Sequence, residues 1–379
     1  MRKRMAVLMH GGIGTGHFSQ GYPALEKLLV GLSSSFEIVI YSQFAVNKDY
    51  RSSEFSIRTA PVNVKLGIVR WFFLIPYFLK DHRKNKFDLI FGFWGYPAGF
   101  LATGLSKIVN IPSAVYLLGG DAAGIESINF GILHKPITRR IALWTYRHTT
   151  LLLGISEFQK KQLSPYGITD IKIIPWGVEK NAYKFINKKP GSSLHIIHVA
   201  HLSPVKDQVT LVKAFALIAE QRPAGLRIFG EDFLKGSIQK LCKELGAENQ
   251  VEFLHVIPYH QMPEQYAWAD VMLHTSISEG QSMAITEAAA SGVLLAGTRV
   301  GLLHDLGEDC GIAVEVGDYE TLALKVLKLL DSEEKWNQKI QNARQWAEVH
   351  DLSWTIRELK QQLNSVIENS VLPGSQIRR

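Results

Sequence analysis

The chain has 379 residues, 46% of them hydrophobic and 20% charged, a balance that suits a globular protein and excludes extended disorder. Its length predicts two domains of roughly 150 to 200 residues each. The net charge of +7 is uneven: residues 1–185 hold 23 Lys and Arg against 11 Asp and Glu, and the remainder holds 19 against 24. The basic first half implies an anionic partner, either a membrane surface or a phosphorylated substrate, and no nucleic-acid reading motif accompanies it. Two cysteines, Cys242 and Cys310, make no disulfide framework and point to a reducing, cytoplasmic compartment.

The opening MRKRMAVLMHGG has the basic start of a signal peptide, but its apolar run ends at glycines after about five residues, so it reads as a first strand. Helix-like YPALEKLLVGLSS and strand-like FEIVIYS follow. Next, KLGIVRWFFLIPYFLKDHRKNK interleaves aromatics with Lys65, Arg70, Lys80, Arg83, Lys84 and Lys86. Its apolar run, Trp71 to Leu79, is far below the roughly 20 residues of a membrane span. It suits either docking on an anionic bilayer or a buried helix with a solvated basic end. FDLIFGF, PSAVYLL and TTLLLGIS are further strands, with PAGFLATGLSKIV as a helix among them.

NKKPGSS, residues 187–193, offers little to bury and reads as the linker. After it the alternation restarts with LHIIHVA, LRIFG, VEFLHV, VMLHTS and VLLAGT as strands. VTLVKAFALIAEQ, GSIQKLCKELG, MPEQYAWA and ITEAAASG lie between them as helices. WTIRELKQQLNSVIEN closes the pattern as an amphipathic helix with a polar tail. The class is therefore α/β, with two parallel, helix-covered sheets. The expected division is 1–186, 187–355, and a helix and tail over 356–379.

Three stretches could carry chemistry. The first strand runs into His10-Gly11-Gly12-Ile13-Gly14-Thr15-Gly16-His17, a glycine-rich turn that lets backbone N–H groups approach a phosphate. The dinucleotide fingerprint and the phosphate-loop pattern both fail on it, so nicotinamide cofactors and phosphate-loop NTPases lose ground. HVAHLSPVKDQ places His201, Ser203 and Lys206 in a loop before a helix, where a lysine suits a diphosphate or is merely solvated. SISEGQSMAITEAAASG sets Glu279 at a strand's C-terminal edge and Glu287 on the helix beside it. Free N–H groups from Gly280 to Met283 suit a phosphate, and a fixed carboxylate can accept from two adjacent ribose hydroxyls, although acids near helix starts also occur for the dipole alone.

Glu279 to Glu287 with GQSMAIT between them resembles the E-x(7)-E signature of retaining glycosyltransferases of family 4, the glycogen-synthase-like enzymes of the GT-B fold. GGIGTG, GISEFQKKQL, IIPWGVE, VAHLSPVKDQ, LRIFGED, GTRVGLLHDL and CGIAVEVGD fall in that family's order along nearly the whole chain. The resemblance implies two Rossmann-like domains facing a cleft, the first binding the acceptor and the second a nucleotide-sugar, with the C-terminal helix crossing back to the first. It implies no cofactor beyond a UDP- or GDP-linked co-substrate. By the same resemblance Lys206 contacts the diphosphate, Glu287 the ribose and Glu279 the sugar. The backbone of Gly280, Gln281, Ser282 and Met283 completes the site, Gly12 closes over it, and Gly230 and Ile257 surround the base.

Two departures stand out. His201 replaces an arginine frequent in relatives, exchanging a permanent charge for a titratable one. Leu118 occupies the position of a histidine linked in many relatives to the donor sugar, which leaves Asp121 and His17 as catalytic candidates. No D-x-D triplet occurs, which argues against a metal-held diphosphate. The expected reaction is sugar transfer with retention to a hydroxyl of a sugar or lipid-linked sugar, in cell-envelope polysaccharide or glycolipid synthesis, in the cytoplasm or on the inner membrane face. An epimerase or phosphorylase of the same fold, or a binding protein that has lost catalysis, stays open.

Overall fold

A computed structural model describes residues 2–14, 23–47, 49–60, 67–188 and 191–371. His17 lies outside the described residues. The chain divides into two compact units: residues 1–155, 159–174 and 353–379 form the first, and residues 156–158 and 175–352 the second.

The first unit holds a seven-stranded parallel sheet in the order β3-β2-β1-β4-β5-β6-β7. Its strands are β1 (Lys3–Met9), β2 (Phe36–Ser42), β3 (Phe55–Thr59), β4 (Leu89–Phe93), β5 (Ser113–Tyr116), β6 (Leu151–Gly154) and β7 (Lys172–Ile173). Helices α1 (Pro23–Ser33), α2 (Gly67–Lys84), α3 (Phe100–Val109), α4 (Pro136–His148) and α5 (Glu157–Leu163) connect them. β1 and β4 are buried almost throughout, as strands of a sheet covered on both faces must be. In α2 the buried side chains Trp71, Leu74, Phe78 and His82 recur at helical spacing, so one stripe faces the sheet and the opposite one faces outward.

The second unit holds a six-stranded parallel sheet, order β10-β9-β8-β11-β12-β13. These strands are β8 (Leu194–Val199), β9 (Ala224–Phe229), β10 (Val251–Phe253), β11 (Val271–His274), β12 (Leu294–Thr298) and β13 (Gly311–Val314). Its helices are α6 (Gln208–Gln221), α7 (Ser237–Glu244), α8 (Met262–Trp268), α9 (Met283–Ser291), α10 (Gly301–Cys310), α11 (Tyr319–Leu329) and α12 (Glu333–Val349). Ile196, Leu226, Leu273 and Ala296 point into one apolar layer and Ile197, Met272 and Leu295 into the other, the alternation a doubly covered sheet requires. Strand order reverses between β1 and β4 in the first sheet and between β8 and β11 in the second. Open α/β sheets form their ligand crevices at the C-terminal ends of such strands.

α13 (Leu352–Val371) belongs to the first unit from Ser353 onward. It buries Thr355, Leu359, Leu363 and Ile367, and Lys3 of β1 pairs with Glu368 at 2.8 Å.

The boundary differs from the linker expected at 187–193. It falls at Ile174/Pro175, because Trp176, Val178 and Tyr183 are buried in the second unit and the Ile186 N–H donates to Ser291 O at 3.3 Å. The polar NKKPGSS stretch marks the entry to β8 within that unit, not its edge.

Candidate functional site

In the second unit the C-terminal ends of β8 and β11 bring together Lys206, Glu279 and two histidines. Lys206 ends a short helical turn over Pro204–Lys206, held down where Thr275 Oγ1 donates to the carbonyls of Lys206 (3.2 Å) and Asp207 (2.9 Å). Its ammonium donates to Glu279 Oε1, which also accepts from Ser276 Oγ at 2.7 Å and from His274 Nε2 at 3.1 Å. Burial alone would raise the Glu279 pKa, yet the Lys206 charge and the His274 hydrogen bond hold it well below the usual carboxylate range. Glu279 is therefore an anion whose charge is matched by a lysine within the same crevice.

Beneath this pair, His198 on β8 is fully buried. Its Nδ1 donates to Leu273 O at 2.8 Å and its Nε2 accepts from Gln208 Nε2 at 3.2 Å. Burial depresses its pKa to about 3, so it is neutral. Gln208 in turn donates to His201 O (3.1 Å) and accepts from the Ser203 N–H (3.2 Å), fixing the loop that carries Lys206.

His201 lies in that loop but points to the next one. Its Nδ1 accepts from the Glu231 N–H at 3.0 Å, and burial lowers its pKa. A ring so placed supplies no permanent cation beside Lys206. Gly230 closes β9 with φ 142°, and a Cβ there would come within 2.1 Å of Ala200 O. Only glycine lets the two strand ends approach so closely. Ile257 lies half-buried after β10 and packs on the apolar layer next to α9.

The turn before α9 is tightly held. Gln281 is buried: Oε1 accepts from the Trp176 N–H at 2.7 Å, and Nε2 donates to Trp176 O at 2.7 Å and Thr286 Oγ1 at 2.9 Å. Gly280 O accepts from Ser156 Oγ at 2.5 Å. The Gln281 side chain is thus spent on the fold. Ser282 takes φ 71° and makes no side-chain cap, leaving the first N–H groups of α9, beginning at Met283, at the crevice end of the helix.

Glu287, one turn inside α9, is buried and accepts from the Tyr266 hydroxyl at 2.7 Å. Tyr183 donates to Tyr259 at 3.0 Å close by. Burial pushes the Glu287 carboxyl up, and hydrogen bonding to Tyr266, Tyr259 and Tyr183 opposes that rise. Sequence reasoning missed this trio, along with His274, Ser276 and Gly301. Gly301 has φ 53°, and a Cβ on it would sit 2.7 Å from Glu279 Cβ. A readable signal existed for His274, a polar residue ending an otherwise apolar strand.

The first unit carries its own cleft of about 290 Å³, lined by His10, Trp94, Tyr96, Gly120, Asp121, Gly131 and Ile132. Gly12 lies buried just after β1 with φ 105°. Asp121 reaches the cleft wall but is committed to the main chain. Its Oδ1 accepts from Gly95 N–H (2.8 Å) and its Oδ2 from Leu118 N–H (2.9 Å) and Gly119 N–H (3.5 Å). Burial raises its pKa against those bonds. Its evident task is to hold the Leu118 and Gly95 loops, which differs from the catalytic part expected of it.

Among the described residues no helix is long and apolar enough to cross a membrane, and no group of three or more His, Cys, Asp or Glu side chains is arranged to hold a metal ion.

The E-x(7)-E pair, Glu279 in the loop after β11 and Glu287 on α9, lies inside residues 179–346, which match the family model described as Glycosyl transferases group 1. Over that segment the chain is similar to this family. It is 33% identical over 236 residues to the N-acetyl-alpha-D-glucosaminyl L-malate synthase of Bacillus anthracis, across 61% of this chain and 60% of that one. The chain thus spans less than two thirds of that relative's length. In fold it matches the sucrose-phosphate synthase of Thermosynechococcus elongatus over 97% of this chain and 100% of that one, with TM-score 0.82 at 16% identity. It also matches Anabaena HepE, solved with UDP and glucose, over 96% of this chain and 100% of that one, with TM-score 0.74 at 18% identity. The chain accordingly has the GT-B fold, two Rossmann-like domains with parallel sheets.

Proposed function

We propose that this chain is a retaining glycosyltransferase that moves a sugar from a nucleoside-diphosphate sugar to a hydroxyl acceptor in cell-envelope polysaccharide or glycolipid synthesis. The observation that carries this reading is the convergence of Lys206, Glu279 and the start of α9 at the β8/β11 switch point. A diphosphate there would meet an ammonium and unpaired helical N–H groups, which together offset about one and a half negative charges as the leaving group departs. In this mechanism the anomeric C–O bond to phosphate breaks and the acceptor oxygen bonds on the same face. The acceptor proton passes to a phosphate oxygen of the departing diphosphate. Glu279 faces the sugar, and Glu287 exchanges phenol donors for ribose hydroxyls. Gly230 and Ile257 line the base, and the His10/Trp94 cleft of the first unit receives the acceptor.

Release of nucleoside diphosphate from a panel of UDP- and GDP-sugars, with a saccharide acceptor, tests the activity. Lys206→Ala and Glu287→Ala should each raise the donor KM on the order of 10- to 100-fold, the weight of a lost charge-assisted hydrogen bond. Unchanged kinetics in both variants would remove the site assignment.

An anionic membrane surface is the companion proposal. On the outward stripe of α2, Phe72, Phe73 and Tyr77 are 67%, 43% and 44% exposed, and nearby Phe44, beneath Arg70, is 45% exposed. Exposed Lys80, Arg83 and Lys84 continue that stripe. Aromatics at one end and cations at the other suit a helix lying in the headgroup layer of an anionic leaflet, where a lipid-linked acceptor would be presented. Co-sedimentation with phosphatidylglycerol-containing vesicles should fall strongly in Phe72→Ser/Phe73→Ser and at high salt. Equal binding to neutral vesicles would refute the electrostatic part.

A further inference from the structure

Three donors converge on one oxygen of Glu279: the Lys206 ammonium, Ser276 Oγ and His274 Nε2. Among the described residues none reaches Oε2. A carboxylate held by one oxygen presents the other, but Lys206 cannot serve as a permanent anchor if it also engages a diphosphate. Once the ammonium turns to the leaving group, Ser276 and His274 alone remain on Glu279.

His274 is built for that task. Its ring is 1% exposed and lies 6.3 Å from the His198 ring, nearly parallel to it, on the adjacent strand. Nε2 faces Glu279 Oε1 at 3.1 Å and Ser276 Oγ at 3.2 Å; because the Ser276 hydroxyl gives its proton to the same carboxylate, Nε2 carries its own. Nδ1 is buried and has no hydrogen-bond partner. An N–H placed there would be an orphaned donor, whereas a bare ring nitrogen is the lesser loss, so the neutral Nε2–H tautomer fits the site. The His274 main chain is fixed beside Gly297, where a Cβ would approach its carbonyl oxygen to 1.9 Å.

We propose that His274 is a positioning residue: a buried, neutral, one-directional donor that keeps Glu279 oriented toward the sugar while Lys206 is recruited by the diphosphate. This rests on the glycosyltransferase reading. It adds that the donor's two halves are read by one shared cluster, in which the lysine is mobile and the histidine fixed.

The test compares His274→Leu, which removes the donor, with His274→Gln, whose amide nitrogen reaches the place of Nε2. In the full chain His274→Leu should lower kcat on the order of 10- to 100-fold, the weight of one hydrogen bond to a charged group, with Kd for free UDP or GDP within about threefold of wild type. His274→Gln should recover most of that loss. A folded His274→Leu with kcat within about threefold of wild type, or a His274→Gln as impaired as Leu, overturns the proposal. Should His274→Leu fail to fold, His274→Asn replaces it, since its shorter amide mimics only Nδ1. Imidazole 15N spectra give a readout apart from turnover: Nε2 protonated, Nδ1 bare, and a changed Nε2 signal in Glu279→Gln. If no nucleotide-sugar is turned over by wild type, the functional reading fails while these spectra still decide the His274–Glu279 pairing; a bare Nε2 overturns it.

Discussion

Gln281 brackets the peptide of Trp176 from both sides, accepting from its N–H and donating to its carbonyl, each at 2.7 Å. One side chain thereby satisfies two buried main-chain groups of the 175–177 strap and fixes the turn that precedes α9. Gln281→Ala should remove both of these bonds and cost about 3 kcal/mol, on the order of 10 °C in the melting temperature of a domain this size. Differential scanning calorimetry reads this directly. A loss confined to donor affinity, with the melt unchanged, would return Gln281 to the ligand contacts expected from the sequence.

Lys206 and Glu279 should be strongly coupled. Removing either alone leaves a half-buried charge without its counterpart, so Lys206→Met and Glu279→Gln should each destabilise by about 3 kcal/mol, and the double substitution by much less than their sum. Urea unfolding of all four proteins closes the cycle. Additive losses would mean that the pair is screened and energetically idle.

Acid should weaken the fold through His198 before the carboxylates titrate. Its folded pKa of about 3 lies below the ordinary value of 6.5, so the unfolded chain binds the extra proton. Stability from this group is complete above pH 6.5 and is lost, at up to about 1.4 kcal/mol per pH unit, as pH falls toward 3. Glu279, depressed, loses stability in the same sense at lower pH, whereas Glu287, raised, acts in the opposite one. Denaturation midpoints between pH 6.5 and 5 should show the slope in wild type. His198→Asn, which keeps the donor to Leu273 O, should reduce it, leaving the part due to His201 and His82, whose pKa values burial also lowers; an equal slope in both proteins would assign the effect elsewhere.

Gly230→Ala should cost more than about 3 kcal/mol, since the new methyl meets Ala200 O at 2.1 Å and φ 142° disfavours any side chain. Circular dichroism melts of the purified variant measure this. A near-neutral result would show that the β8 and β9 ends can part.

The long apolar runs FEIVIYS, FDLIFGF and LHIIHVA are legible as strands because a doubly covered parallel sheet buries both of their faces. FSIRT, which forms β3, is not: it is an edge strand whose side chains alternate buried and exposed, with polar residues on the wet side. β7 is two residues long and has no period to read. In the crevice, Lys206 and Glu279 are legible through local motifs. The surroundings of Glu287 are not, because Tyr183, Tyr259 and Tyr266 arrive from the segment before β8, a short turn and α8, and only the fold makes them neighbours. Asp121 illustrates the converse: its type and position suggest chemistry, while its three main-chain partners are invisible until the Gly95 and Leu118 loops are in place.

The return of α13 to the first unit sets an order of assembly. Its buried face, Thr355 to Ile367, completes a unit whose other strands are all translated before β8 appears. On the ribosome the second unit therefore has its whole sequence, 175–352, available before the first does. The first sheet must wait, partly uncovered beside Gly31, where Ile356 will later lie so close that even a methyl on the glycine would collide with it. Nascent chains arrested before residue 353 should expose that surface to chaperones, and chains arrested beyond α13 should not.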